Sequence, residues 1–147
     1  MSESPVNDVT NEEANYNHLI SAKFAKYEII HYVDYITLVV NKYSFDYKTI
    51  ITTLGSDVYV FDKTTGKLYN NDELLSKFSI NKDDINEKVK TYLNDKNLVS
   101  EENKIDVEKT ISNNTKYNLY VDKLGRLVIS ILVKAEKSDY NDIIVLS

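Results

Sequence analysis

The sequence predicts an α+β fold: a mainly antiparallel β-sheet with one principal amphipathic helix packed on one face. Three observations carry this expectation. Short runs rich in β-branched and aromatic residues recur along the chain, bounded by Gly, Asp and Asn. Two aspartate-to-glycine bends, Asp62–Gly66 and Asp122–Gly125, join such runs as the loops of β-ribbons do. The clearest helical spacing of apolar residues falls in one stretch, Lys82–Leu93.

Residues 1–15 are acidic and polar and hold the only proline, Pro5, which predicts a flexible N-terminal arm. Residues 16–147 then form a single α+β domain, or two tightly packed subdomains. From His18 to Phe24 the apolar positions are Leu19, Ile20, Ala22 and Phe24, too few to separate a helical turn from a strand. Lys26–His31 and Tyr35–Phe45 read as strands joined around Val33-Asp34. In the second, Ile36, Leu38 and Val40 share one face, while Tyr35, Thr37, Val39, Tyr43 and Phe45 share the other. A strand apolar on both faces predicts a central position covered by a helix. Asp46–Leu54 reads as a further strand, with Gly55-Ser56-Asp57 turning the chain into the next.

That next stretch, Val58–Leu75, organises the chain. Val58 to Phe61 alternate as a pleated strand, and Asp62 can accept backbone N–H bonds from two residues on. Gly66 supplies the positive φ that closes the loop. Lys67–Tyr69 resume an extended path, and Asn70–Asn71–Asp72 offer capping oxygens to a short helix at Glu73-Leu74-Leu75. In Lys82–Leu93, Asn81 is the expected cap and Asp84 stands three residues later, a variant capping box. Ile85, Val89, Tyr92 and Leu93 make one stripe. Acidic Asp83, Asp84 and Glu87 come before Lys88 and Lys90, as the helix dipole favours. Asn94–Thr115 reads as a polar loop with one short element. Tyr117–Val121 and Arg126–Lys134 form a hairpin about Asp122–Gly125. Asp142–Leu146 is the closing strand, and its two apolar faces predict an interior position in the sheet.

Composition narrows the function. Net charge is −5, and of eighteen basic residues only Arg126 is not lysine, which argues against a nucleic-acid partner. The absence of cysteine removes thiolate metal sites, disulfides and cysteine nucleophiles. No apolar run approaches the ~20 residues of a membrane-spanning helix. Residues 1–17 lack the basic region and apolar core of a signal peptide, so the expectation is either a cytosolic protein or an exported one whose signal or anchor lies outside this chain. His18 and His31 have no metal-pair spacing, and no nucleophile elbow, P-loop or dinucleotide fingerprint is present. Asp83-Asp84 and Glu101-Glu102 read as solvated charge, and Asn70–Glu73 lacks the spacing of a calcium loop. The chain is therefore read as a non-enzyme with no catalytic residue, cofactor or metal. Twelve tyrosines stand out, since this side chain suits interfaces. Tyr43, Tyr47, Tyr59 and Tyr69 are the candidate binding residues.

The stretches YEIIHYVDYITLVVNKYSF, VYVFDKTTGKLYNNDELL, the helix from Ile80, and YNLYVDKLGRLVISILVKAEKSDYNDIIVL occur in a suggestive order. In that order the chain resembles, over residues 26–146, an extracytoplasmic domain of unknown function. The domain is found in RsiV-type anti-sigma factors and in the non-catalytic part of PdaC-type deacetylases. One departure is clear. A Gly-Gly-Ala-His-like turn of the family is replaced here by Ile50–Ser56, with one glycine and no histidine. The resemblance implies a non-catalytic binding or sensor module of a Gram-positive cell envelope protein, extracellular or at the cell surface. It implies a protein or cell-wall component as partner, with a cationic protein such as lysozyme in view. A structural spacer of an envelope enzyme and an uncharacterised hydrolase are the alternatives.

Overall fold

The structure, a computed structural model, describes residues 22–46, Lys48 and residues 50–147. The expected N-terminal arm and Tyr47 lie outside the described residues. Among these residues the chain folds as α+β, with two three-stranded antiparallel sheets and three α-helices.

The first sheet is a meander of β1 (Ala22–Tyr32), β2 (Tyr35–Phe45) and β3 (Ile51–Asp62), with β2 in the middle. Ala22 and Phe24, ambiguous in sequence, belong to β1. The two-residue loop Val33-Asp34 turns β1 into β2, and Val33 sits at φ 47°, a left-handed conformation costly for a β-branched residue.

The second sheet orders β4 (Asn118–Val121), β5 (Leu127–Val133) and β6 (Tyr140–Val145), with β5 in the middle. The expected interior position of the closing strand is corrected: β6 is an edge. All four of Ile143–Leu146 are aliphatic, yet Ile144 and Leu146 are buried while Ile143 and Val145 are exposed, so the strand has one wet face.

Both aspartate-to-glycine bends form as expected. The backbone N–H groups of Thr64 and Thr65 donate to Asp62 Oδ1 at 2.8 and 2.9 Å, and Gly66 takes φ 74°. Leu124 and Arg126 N–H donate to Asp122 Oδ1 at 3.0 and 2.9 Å, and Gly125 takes φ 80°. The expected turn at Gly55-Ser56-Asp57 does not form. These residues lie inside β3, where Lys42 pairs with Gly55 and Tyr43 with Thr53, leaving Leu54 as the extra residue of a β-bulge. A glycine at φ 114° serves a bulge as well as a turn, so two expected strands are one.

Helix α1 (Asn71–Lys77) starts from a full capping box. Asn70 Oδ1 accepts from Glu73 N–H at 2.8 Å, and Glu73 Oε1 accepts from Asn70 N–H at 3.1 Å. The expected box at Asn81 is only half made. Asn81 Oδ1 accepts from Asp83 N–H to cap a 3₁₀ turn over Lys82–Asp84, and Asp84 contributes no side-chain cap to the α-helix that follows. That helix, α2 (Ile85–Val99), buries Ile85, Val89 and Leu93 as the stripe predicts. It runs to Val99, well into the expected polar loop; the short element expected there is α3 (Val107–Asn113).

Helix α2 lies against the second sheet. Tyr92 Oη and Lys96 Nζ donate to Asp142 Oδ2 of β6, and Lys88 Nζ donates to the Leu146 carbonyl. Hence the helix expected over β2 covers the other sheet. The inward face of β2 is covered by the second sheet itself: Thr37, fully buried, donates its hydroxyl to the Val121 carbonyl at 3.2 Å. One buried cluster runs from Val39 and Val60 through Leu119, Val121, Leu127 and Ile129 to Leu93. Each large aliphatic side chain buried there contributes about 1.5–3 kcal/mol. Among the described residues no helix is long and apolar enough to cross a membrane.

Candidate functional site

Register decides which side chains of the first sheet face the core. Directly paired residues share a face. Glu28–Val39–Val58, Ile30–Thr37–Val60 and Tyr32–Tyr35–Asp62 therefore point toward the second sheet. Between these rows three others point the opposite way: Tyr27–Val40–Asp57, Ile29–Leu38–Tyr59 and His31–Ile36–Phe61. Nothing described covers this outer face. Tyr27 is 70 % exposed, Ile29 63 % and Tyr59 40 %, while Ile36, Leu38, Val40 and Phe61 are half-buried. At one end Lys42 and Asp57 close the apolar rows with an ion pair of 3.2 Å.

The face exists because β2 is apolar on both sides. Its inward side is satisfied by the core; its outward side, Ile36, Leu38 and Val40, is continued across the pleat by residues of β1 and β3. The result is an aromatic and aliphatic surface carrying one ion pair. Monomeric proteins seldom leave a contiguous apolar patch of this kind without a use.

Of the tyrosines expected to bind, Tyr59 stands on this face. Tyr43 does not: it pairs with Phe24 on the opposite side of the sheet, their rings stacked 5.1 Å apart at 21°. Tyr69 is held inside the hairpin that the sequence pointed to. Its hydroxyl donates to Asp62 Oδ2 at 2.9 Å, and its ring lies 5.6 Å from Tyr35. That bond to Asp62, with some desolvation, pushes the Tyr69 hydroxyl up to about 12. The same arrangement holds Asp62 below the usual carboxylate range, chiefly through the Thr65 N–H and the Tyr69 hydroxyl. Glu73 is also lowered, by Lys67 and then by the Asn70 N–H. These perturbations belong to turn and cap architecture, and Tyr69 is a structural anchor. The three described tyrosines do not make one patch.

Sequence reasoning missed Tyr27, Ile29, Ile36, Leu38 and Phe61 as a surface. The signal was present in the two apolar faces of Tyr35–Phe45, which were assigned to burial under a helix.

Elsewhere, Lys96 ties α2 to β6 through Asp142 at 2.7 Å, with Tyr92 and Tyr140 rings about its ammonium group; the bond to Asp142 raises the lysine despite desolvation. Burial, then the carboxylates of Glu28 and Asp122, push Tyr120 up to about 12. Among the described residues, no group of three or more His, Asp or Glu is placed to hold a metal ion. No protein-family model matches the chain, and no curated protein matches it in sequence.

Proposed function

We propose that this chain is a non-catalytic binding module that takes a protein partner on the outer face of its first sheet. The observation behind this reading is the uncovered ladder of Tyr27, Ile29, Leu38, Tyr59 and Phe61. Aromatic and aliphatic side chains fixed on a pleated sheet lose little entropy on contact, and such residues are enriched at the centres of interfaces. The net charge of −5 favours encounter with a cationic protein. The sequence resemblance supports an extracytoplasmic setting in a Gram-positive cell envelope, where a lysozyme-like cationic protein is the partner class.

Titration of the whole chain with lysozyme, across a salt series and beside a charge-matched cationic control, tests the proposal. Saturable binding above the control is expected, weakening as salt rises, with about a tenfold loss for Tyr59→Ala. Binding no better than the control, or a Tyr59→Ala variant that binds as the parent does, would reject it.

A further inference from the structure

The strand edges of this molecule are not alike. On β3 the outward groups have partners: Tyr69 N–H donates to the Val60 carbonyl, Leu68 bridges Phe61, and Asn118 Nδ2 donates to the Ser56 carbonyl. The strand β4 has four residues, and β6 has six and is braced by Lys96 and Lys88 of α2. By contrast β1 is eleven residues long, pairs with β2 in unbroken register, and has no strand on its other side among the described residues. It carries neither a proline nor a bulge; of the devices that blunt an edge it has only charge, at Lys23, Lys26 and Glu28, and the last two are complementary to each other.

Its sequence, AKFAKYEIIHY, is complementary to itself. Two copies related by a two-fold axis through the sheet must pair residues of the same face, because that axis leaves each face on its own side. With the axis at Tyr27, the centre of the strand, all eleven residues overlap. Lys26 then faces Glu28 of the second copy, and the symmetry repeats the pair. Phe24 faces Ile30, and Ala25 faces Ile29. Small Ala22 faces Tyr32, whose ring is already engaged over Gly125. Lys23 opposite His31 is the one pairing without evident attraction. Moving the axis to Lys26 sets lysine against lysine, and moving it to Glu28 sets glutamate against glutamate.

We infer that β1 is a homodimerisation edge, joining two copies of this chain antiparallel about Tyr27 into one continuous six-stranded sheet. This stands independently of any partner on the outer face. The joint supplies about one main-chain hydrogen bond per residue pair, and the two Lys26–Glu28 contacts select the register.

Sedimentation of the full chain over a concentration series gives the first test, with a reversible dimer expected. Glu28→Lys and Lys26→Glu each place like charges opposite one another twice, and each weakens the dimer about tenfold. The double exchange, Lys26→Glu with Glu28→Lys, restores opposite charges and returns affinity to within about threefold of the parent. Circular dichroism confirms that each variant is folded. The register is read separately with Tyr27→Cys in this cysteine-free chain: mild oxidation yields a disulfide-linked dimer, while Tyr59→Cys, on the same face but two strands away, does not. A chain that is monomeric throughout the series overturns the inference. So does a dimer indifferent to both charge reversals and uncrosslinked at position 27.

Discussion

The two sheets have the same strand count and the same antiparallel order, but they are stabilised differently. In the central strand of the second sheet, Leu127–Val133, every residue but Leu132 is buried, between α2, α3 and the first sheet. In the first sheet only Thr37 and Val39 of the central strand are buried, and its outer edge strand has no buried residue. One sheet is the core of the molecule. The other is a ribbon anchored on that core by one end of one face, and among the described residues its second face and its edge are uncovered. Apolar residues hold the molecule together in the first case and form a surface in the second, and the residue types alone do not tell which.

The largest expected effect tests this contrast directly. Ile129→Ala, in the buried strand, should cost about 3 kcal/mol in urea unfolding, whereas Ile29→Ala, on the open face, should cost under about 0.5 kcal/mol. Comparable losses would mean that the outer face is covered and the distinction is false.

A smaller effect measures how the ribbon is anchored. Gly125 and Gly66 both have left-handed backbones, so alanine strains each by about 1 kcal/mol. They differ in surroundings. A Cβ at Gly66 meets nothing within 4 Å, while one at Gly125 would overlap the ring of Tyr32, at the end of β1. Gly125→Ala should therefore cost about 1 kcal/mol more than Gly66→Ala, and combining it with Tyr32→Ala should remove that excess. Equal costs for the two glycines in thermal melts would show that the Tyr32 contact contributes nothing to the docking of the sheets.

The smallest effect is in acid. Asp62 is held below its ordinary value of 3.8 by the Thr65 N–H and the Tyr69 hydroxyl. At Asp122 burial works the other way, but the Arg126 N–H and guanidinium outweigh it and the carboxyl is again lowered. A lowered folded value means that the unfolded chain binds the proton more readily. The stabilisation is present above the unfolded value and lost as pH falls through the folded one. Melting temperature should be flat from about pH 7 to about pH 5 and fall below about pH 4, with a shallower fall in Asp62→Asn. A variant that loses stability in acid as steeply as the parent would detach this behaviour from the first bend.

The bends, the cap at Asn70 and the main helix are legible because each is set by a few neighbouring side chains, whereas the box expected at Asn81 is only half made. Asp62 and Asp122 reach their own loops, and Ile85, Val89 and Leu93 need only helical spacing. What escaped depends on distant packing. Helix α2 continues beyond Leu93, although Leu98 and Val99 are exposed and extend no stripe. Gly55-Ser56-Asp57 has the composition of a turn, and glycine at positive φ suits a turn and a bulge alike; the pairing partner, Lys42, distinguishes them. Within the candidate site Tyr59 was found, but as one of four tyrosines. Only strand register places it beside Ile29 and Leu38, and register is a property of three segments at once. The same holds for the division into two sheets, which no single run of residues encodes.

The bulge at Leu54 bears on the shape of everything open in this molecule. Removing that residue would leave Tyr43 with Thr53 and Lys42 with Gly55, so it contributes no pairing of its own. It contributes length: β3 is one step, about 3.3 Å, longer than the stretch of β2 it follows. As with the outer rail of a curved track, such a surplus forces the pair to bend. The far end of the ribbon, with the stacked rings of Phe24 and Tyr43, thus owes its direction in space to a residue that pairs with nothing.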